Sequence, residues 1–169
     1  MKDFTLVSPT AERTRALGAL LARAIRRTDI RGALVIAFNG ELGAGKTTFI
    51  AGALAEFGVT GAVRSPTYTL IEPYELGERS VYHLDLYRLS EPRELEMLAL
   101  RDLLAPGAVL FVEWAERGAR ELPTPDLTID FRYRAAAEGR ELGVAWGTMI
   151  GKELAQSLHA LADEASLSL

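Results

Sequence analysis

The chain has no cysteine, which excludes disulfide staples, thiolate metal sites and a cysteine nucleophile, and fits a reducing compartment. Lysine is almost missing too. Lys2, Lys46 and Lys152 are the only three in 169 residues, so sixteen of the nineteen basic residues are arginine. No uncharged stretch approaches the ~20 residues of a bilayer-spanning helix. The opening Met1-Lys2-Asp3-Phe4 carries an acid where a secretory leader would be basic, so a cytosolic protein without membrane contact is expected. Internal repeats, low-complexity tracts and long linkers are absent, and 169 residues are short for two domains, so one domain spanning 1–169 is expected. A net charge of −4 and a pI near 5.3, with no basic stripe, argue against a chain that grips nucleic acid by itself. The remainder is ordinary for a globule, 49% apolar and 25% charged.

Against that background one octapeptide stands out. Gly40-Glu41-Leu42-Gly43-Ala44-Gly45-Lys46-Thr47 fits GxxxxGKT, the phosphate-binding loop. It follows the β-branched, uncharged run Ala33–Phe38, which reads as a central strand covered on both faces. It precedes a helical pattern in which Phe49, Ile50, Ala53, Leu54 and Phe57 recur at helical spacing before a stop at Gly58. A triphosphate needs several N–H donors in a tight curl of backbone, and Gly40, Gly43 and Gly45 permit that approach. The helix N-terminus aims at the phosphates, Lys46 reaches the β and γ oxygens, and the Thr47 hydroxyl ligates Mg²⁺. A glycine-rich turn with an incidental lysine is the competing reading, and the scarcity of lysine counts against it.

Elsewhere, Phe4–Val7 reads as a short edge strand and Ser8-Pro9 as a helix start. The following helix buries Leu17, Leu20, Leu21, Ala24 and Ile25 and leaves Arg13, Arg15, Arg23, Arg26 and Arg27 on a solvated face. Residues 67–72 and 80–87 read as a hairpin around Gly77. A helix from Ser90-Glu91-Pro92 turns Leu95, Leu98, Leu103 and Leu104 inward and ends at Pro106-Gly107, before the strand Ala108–Val112. Two further strands, 127–133 and 142–146, pair across a turn near Gly139, and a last helix from about Ile150 buries Leu154, Leu158 and Leu161. The fold class is α/β, a P-loop NTPase fold with a central mixed parallel and antiparallel sheet flanked by helices.

A P-loop enzyme also needs a carboxylate at the end of a neighbouring strand to hold Mg²⁺ or the attacking water. Glu113 follows the run ending in Val112, and Asp85 lies in His83-Leu84-Asp85-Leu86-Tyr87-Arg88, where His83, Asp85 and Tyr87 share one strand face. Both are candidates, and the residues leave open which is the main one. His83, taken alone, reads as a satisfied structural histidine.

Four segments in register carry a resemblance: GELGAGKTTF at 40–49, SPTYTLIEPY at 65–74, YHLDLYRL at 82–89 and LFVEWAER at 110–117. Together they resemble the bacterial TsaE (YjeE) family, small P-loop ATPases of tRNA threonylcarbamoyladenosine synthesis, over about residues 14–140. The resemblance implies an ATPase that works with the TsaB and TsaD proteins, which modify the adenosine beside the anticodon; tRNA is met only indirectly. It implies that Gly43, Ala44, Gly45, Lys46, Thr47 and Thr48 hold ATP and that Thr47, Glu113 and Asp85 serve Mg²⁺. Lys46, Asp85 and Glu113 would be the catalytic set, with Asp85 on the γ-phosphate side. Ser65–Thr69, including Thr67, would be a switch-like loop, Trp114 would lie close by, and Ala11, Thr14 and Arg140 would meet base and sugar.

No guanine-selecting NKxD element is found, which leaves adenine as the default base. No arginine is placed as an obvious finger, although Arg88 and Arg64 are candidates, so hydrolysis is expected to be slow until a partner completes the site. Two other classes compete. A P-loop small-molecule kinase would use Arg132, Arg134 and Arg140 at a lid or acceptor site, and a regulatory module would bind nucleotide without turnover.

Overall fold

The computed structural model describes residues 3–77, 79–91, 94–97, 99–118, 121–134 and 138–165. In chain order the elements are β1 (Phe4–Ser8), α1 (Ala11–Arg27), β2 (Leu34–Gly40), α2 (Lys46–Phe57), β3 (Ile71–Leu76), β4 (Arg79–Asp85), α3 (Glu94–Met97), α4 (Leu100–Leu103), β5 (Val109–Glu113), β6 (Leu127–Tyr133), β7 (Arg140–Trp146) and α5 (Met149–Glu164). A 3-10 turn, Ala115–Gly118, follows β5.

The strands form one seven-stranded mixed sheet in the order β1-β7-β6-β2-β5-β4-β3. β2 lies between β5 and β6, parallel to both, and β5 is parallel to β4. The two margins are antiparallel, β3 on β4 and β1-β7-β6. This arrangement brings the carboxyl ends of β2, β4 and β5 to one edge, where Asp85 and Glu113 are register partners and the loop after Gly40 begins.

Two cores flank the sheet because the central strands are apolar on both faces. Leu34, Ile36 and Phe38 of β2 and Val109 and Phe111 of β5 join the helices α1, α2 and α5, while Val35, Ala37, Leu110 and Val112 pack with Leu84, Leu86, Leu95 and Leu100. Beneath the loop, Phe38 lies at ring-centroid distances of 5.7, 5.8 and 6.4 Å from Phe49, Phe111 and Phe131, joining α2 to three strands. Such aromatic contacts add about 0.5–1.5 kcal/mol each beyond their buried area.

α1 and α2 cross through glycines. A Cβ on Gly18 would lie 1.9 Å from the Phe49 carbonyl oxygen, and one on Gly52 would lie 2.1 Å from that of Arg15. Only two residues without side chains allow this approach, which fixes α2 against α1. At the opposite end Asp126 fastens α5 to the central strand: its carboxylate accepts from Val35 N at 2.8 Å and from the Thr148 hydroxyl at 2.6 Å.

Leu17, Leu20, Leu21, Ala24 and Ile25 are buried as their spacing predicts, and Arg15, Arg23, Arg26 and Arg27 are exposed, with Arg13 half-buried. Several boundaries differ from the sequence expectation. Ser8 ends β1, and the α1 cap is Thr10, whose side chain accepts from Arg13 N. Residues 67–69 form a turn rather than strand, because Leu70 N donates to Pro66 O at 2.8 Å and Leu70 adopts φ 64°; the strand starts at Ile71. β4 stops at Asp85, so Tyr87 is not on the strand: the Asp85 carboxylate accepts from Tyr87 N at 2.9 Å and turns the chain. The single helix expected after Ser90 is two short ones, interrupted at Ala99 with φ 48°. Leu95 is buried there, Leu103 and Leu104 pack against the same core, and Pro92 and Leu98 lie outside the described residues.

Candidate functional site

The loop between β2 and α2 curls as its composition predicts. Gly43 and Gly45 have φ of 76° and 105°, a region that costs L side chains strain, and Gly45 caps α2 so that Lys46 begins the helix. Ala44 is fully buried.

The loop is gripped from outside by the β6–β7 hairpin. Arg140 Nε donates to Ala44 O at 3.1 Å and Nη2 to Gly43 O at 3.4 Å, while the Tyr133 hydroxyl donates to Leu42 O at 3.3 Å. The Arg140 guanidinium also stacks 4.0 Å from the Tyr133 ring centroid. Three consecutive carbonyls are thus held on the hairpin side. Sequence reasoning missed Tyr133, since nothing local ties β6 to a loop ninety residues upstream.

A cavity of about 360 Å³ is lined by Gly43–Thr48, Ser65, Thr67, Asp85, Glu113 and Trp114 among others. Lys46 is only 4% exposed; its Nζ donates to Gly40 O at 2.8 Å and Glu41 O at 2.9 Å and lies 4.2 Å from the Trp114 ring centroid. Burial pushes its ammonium below the ordinary lysine value, a shift opposed by the charges of Glu113, Asp85 and Glu116. Trp114 reaches this position through a left-handed backbone, φ 59°, with its N–H donated to Phe38 O at 3.1 Å. Such strain costs about 1–3 kcal/mol and clusters where function holds it in place.

The carboxylates are side by side but differently engaged. Glu113 Oε1 accepts from the Thr47 hydroxyl at 2.7 Å and lies 2.9 Å from His83 Nε2. His83 is fully buried, as a structural histidine would be, but only its Nε2 is satisfied: Nδ1 has no partner among the described residues. Asp85 Oδ2 instead accepts from the Ser65 hydroxyl and, at 3.4 Å, from Thr67, so this carboxylate fastens the 65–69 loop to β4. The donor set at Thr47 and Glu113 is hard oxygen, which suits Mg²⁺, an ion that takes one or two carboxylates and completes its shell with phosphate and water.

On the other side of the loop a second cavity of about 510 Å³ is lined by Ala11, Thr14, Ala44, Thr48, Tyr133 and Arg140, among others. The three residues expected around base and sugar therefore converge at one place. Thr14 presents its methyl toward Gly45, because its hydroxyl is already bonded to Ser8 Oγ at 2.6 Å and Thr10 O at 3.1 Å. The expected finger candidates are both exposed: Arg88 borders the cavity beside Lys46 and stacks 4.6 Å from the Tyr68 ring centroid, whereas Arg64 does not line it. No described helix is long and apolar enough to cross a membrane.

The strand order, the glycine loop at the β2–α2 junction and the strand-end acids define a protein of the P-loop NTPase fold. The crystal structure of YdiB from Bacillus subtilis superposes with a TM-score of 0.71 and 30% identity, covering 95% of this chain and 97% of that one. A family model described as threonylcarbamoyl adenosine biosynthesis protein TsaE matches residues 8–142, and the chain belongs to the TsaE family. It is 37% identical over 142 residues to the tRNA threonylcarbamoyladenosine biosynthesis protein TsaE of Haemophilus influenzae, covering 84% of this chain and 90% of that protein. It is 36% identical over 142 residues to the protein of the same name from Bacillus subtilis, covering 84% and 85%.

Proposed function

We propose that this chain is a Mg²⁺-dependent ATPase subunit of tRNA threonylcarbamoyladenosine synthesis, slow alone and stimulated by TsaB and TsaD. The observation that carries the reading is the convergence of Lys46, Thr47 and Glu113 on one cavity beside a glycine loop whose Leu42, Gly43 and Ala44 carbonyls are bonded to the β6–β7 hairpin. Membership of the TsaE family supplies the pathway.

In this reading the loop amides and the α2 N-terminus bind the triphosphate tail, and Lys46 turns from the Gly40 and Glu41 carbonyls to the β and γ oxygens. Thr47 and Glu113 hold Mg²⁺, which when bound neutralises charge on the phosphate oxygens. Glu113, or Asp85 through the 65–69 loop, orients the attacking water. The nucleoside occupies the cavity of Ala11, Thr14 and Arg140, with adenine as its base. Cytoplasmic tRNA is reached through the partners rather than gripped by this acidic chain.

ATP binding and hydrolysis by the full chain, with and without TsaB and TsaD, test the proposal. Lys46→Ala is expected to abolish binding, while Glu113→Ala retains binding and loses turnover. Equal loss of binding in both, phosphate transfer to a metabolite, or hydrolysis unchanged by the partners would overturn it.

A further inference from the structure

We propose that His83 is a positioning residue for Glu113, fixing the carboxylate so that Oε2 alone serves the phosphate-side cavity. The inference rests on the assignment of Glu113 as the metal-binding or water-orienting acid. Glu113 ends β5, and the terminal torsion of a glutamate is intrinsically broad, so the side chain by itself would sample many orientations. Two contacts remove that freedom, and both fall on the same oxygen. Thr47 Oγ1 reaches Oε1 at 2.7 Å from α2, and His83 Nε2 reaches it at 2.9 Å from β4. With the acceptor positions of Oε1 taken from two sides, Oε2 is the oxygen left for chemistry.

The imidazole is committed to this bond. His83 is fully buried and diagonal to Glu113 across parallel strands, in register with Phe111. Its Nδ1 has no partner among the described residues, so a proton there would be stranded, whereas the Nε2–H tautomer gives the single N–H to Glu113. A histidine kept only for packing would gain nothing from one buried nitrogen without a partner, and a leucine would fill that space without stranding a polar atom. The bond to Glu113 is what the imidazole adds. Thr47 stands nearest the metal position in this reading, and His83 supplies the anchor that does not depend on it.

The test compares His83→Leu with His83→Gln, whose side-chain amide keeps an N–H donor. Partner-stimulated hydrolysis, ATP binding by tryptophan fluorescence with and without Mg²⁺, and thermal unfolding are measured on each. His83→Leu is expected to lower kcat about ten- to a hundredfold, the usual cost of losing a group that orients a metal-binding side chain. KM and Mg²⁺-free ATP affinity should change less than about threefold, and His83→Gln should recover most of the rate. His83→Leu combined with Glu113→Gln should be no slower than Glu113→Gln alone. Independently of activity, a long-range ¹H–¹⁵N spectrum of the wild-type chain should give the Nε2–H tautomer. An Nδ1–H tautomer, unchanged kcat in His83→Leu, or equal loss in His83→Leu and His83→Gln overturns the proposal. Unchanged turnover in Glu113→Gln instead overturns the assignment of Glu113, which separates the two failures.

Discussion

Gly18 sits against the Phe49 carbonyl so closely that a Cβ would lie 1.9 Å from its oxygen. Because Phe49 lies in the first turn of α2, three residues after Lys46, this contact sets the depth at which the glycine loop meets the helix. Gly18→Ala is expected to cost about 1–3 kcal/mol, as other overpacking substitutions do. Urea unfolding should report that loss, and the surviving folded fraction should bind ATP more weakly because α2 is displaced. Unaltered stability would mean that the helices separate more freely than the paired glycines indicate.

Thr47 offers one hydroxyl to both Glu113 and the proposed metal. Thr47→Val keeps the shape and removes the oxygen, so affinity for Mg²⁺-ATP should fall about ten- to a hundredfold, matching about 1.5–3 kcal/mol for a polar contact to a charged group. Affinity for ATP in chelator should change far less. Calorimetry in the two buffers measures the difference.

Arg140 spans two loop carbonyls with a planar fork. Arg140→Ala is expected to weaken ATP binding about tenfold, from two hydrogen bonds worth about 0.5–1.5 kcal/mol each. Arg140→Lys should restore little, since a point charge cannot engage both carbonyls. Full recovery with lysine would identify attraction to phosphate, rather than loop geometry, as the residue's contribution. Tyr133→Phe, which loses only the bond to Leu42 O, should have a smaller effect.

Lys46 gives a pH dependence of defined sign. Its ammonium titrates below the ordinary ~10.4 because it is buried, so in the window beneath that value the unfolded chain binds more protons than the folded one. Its contribution to stability therefore rises with pH across the window, as the penalty for burying the charge is relieved. Relative to Lys46→Met, the wild type should gain stability as the pH rises toward the ordinary lysine value, and denaturant melts at several alkaline pH values read the difference. A flat difference would place the ammonium in water.

Much of the site was legible because it is local. The octapeptide 40–47 and the apolar runs that became β2 and β5 disclose their places in the fold within a few residues, and the position of Glu113 at a strand end follows directly from where such a run stops. What was hidden is nonlocal or context-bound. Thr67-Tyr68-Thr69 has strand composition, yet Asp85 draws Ser65 and Thr67 into a turn. The Tyr133 grip on Leu42 depends on β6 lying beside β2, and His83 can be distinguished from a filler only once Glu113 is seen beside it. Ala99 interrupts a helix whose local pattern is continuous, and the described contacts give no physical reason for its left-handed turn.

The sheet order has a consequence for synthesis. β2, which leads into the glycine loop, is flanked by β5 and β6, whose residues lie some seventy to ninety positions later in the chain. As the polypeptide leaves the ribosome its N-terminal half holds Lys46 and Thr47 with no neighbour for β2 on either side. A nascent chain thus lacks the strands on either side of the 40–47 loop until β5 and β6 have emerged, and under the proposed function its nucleotide site is completed only then.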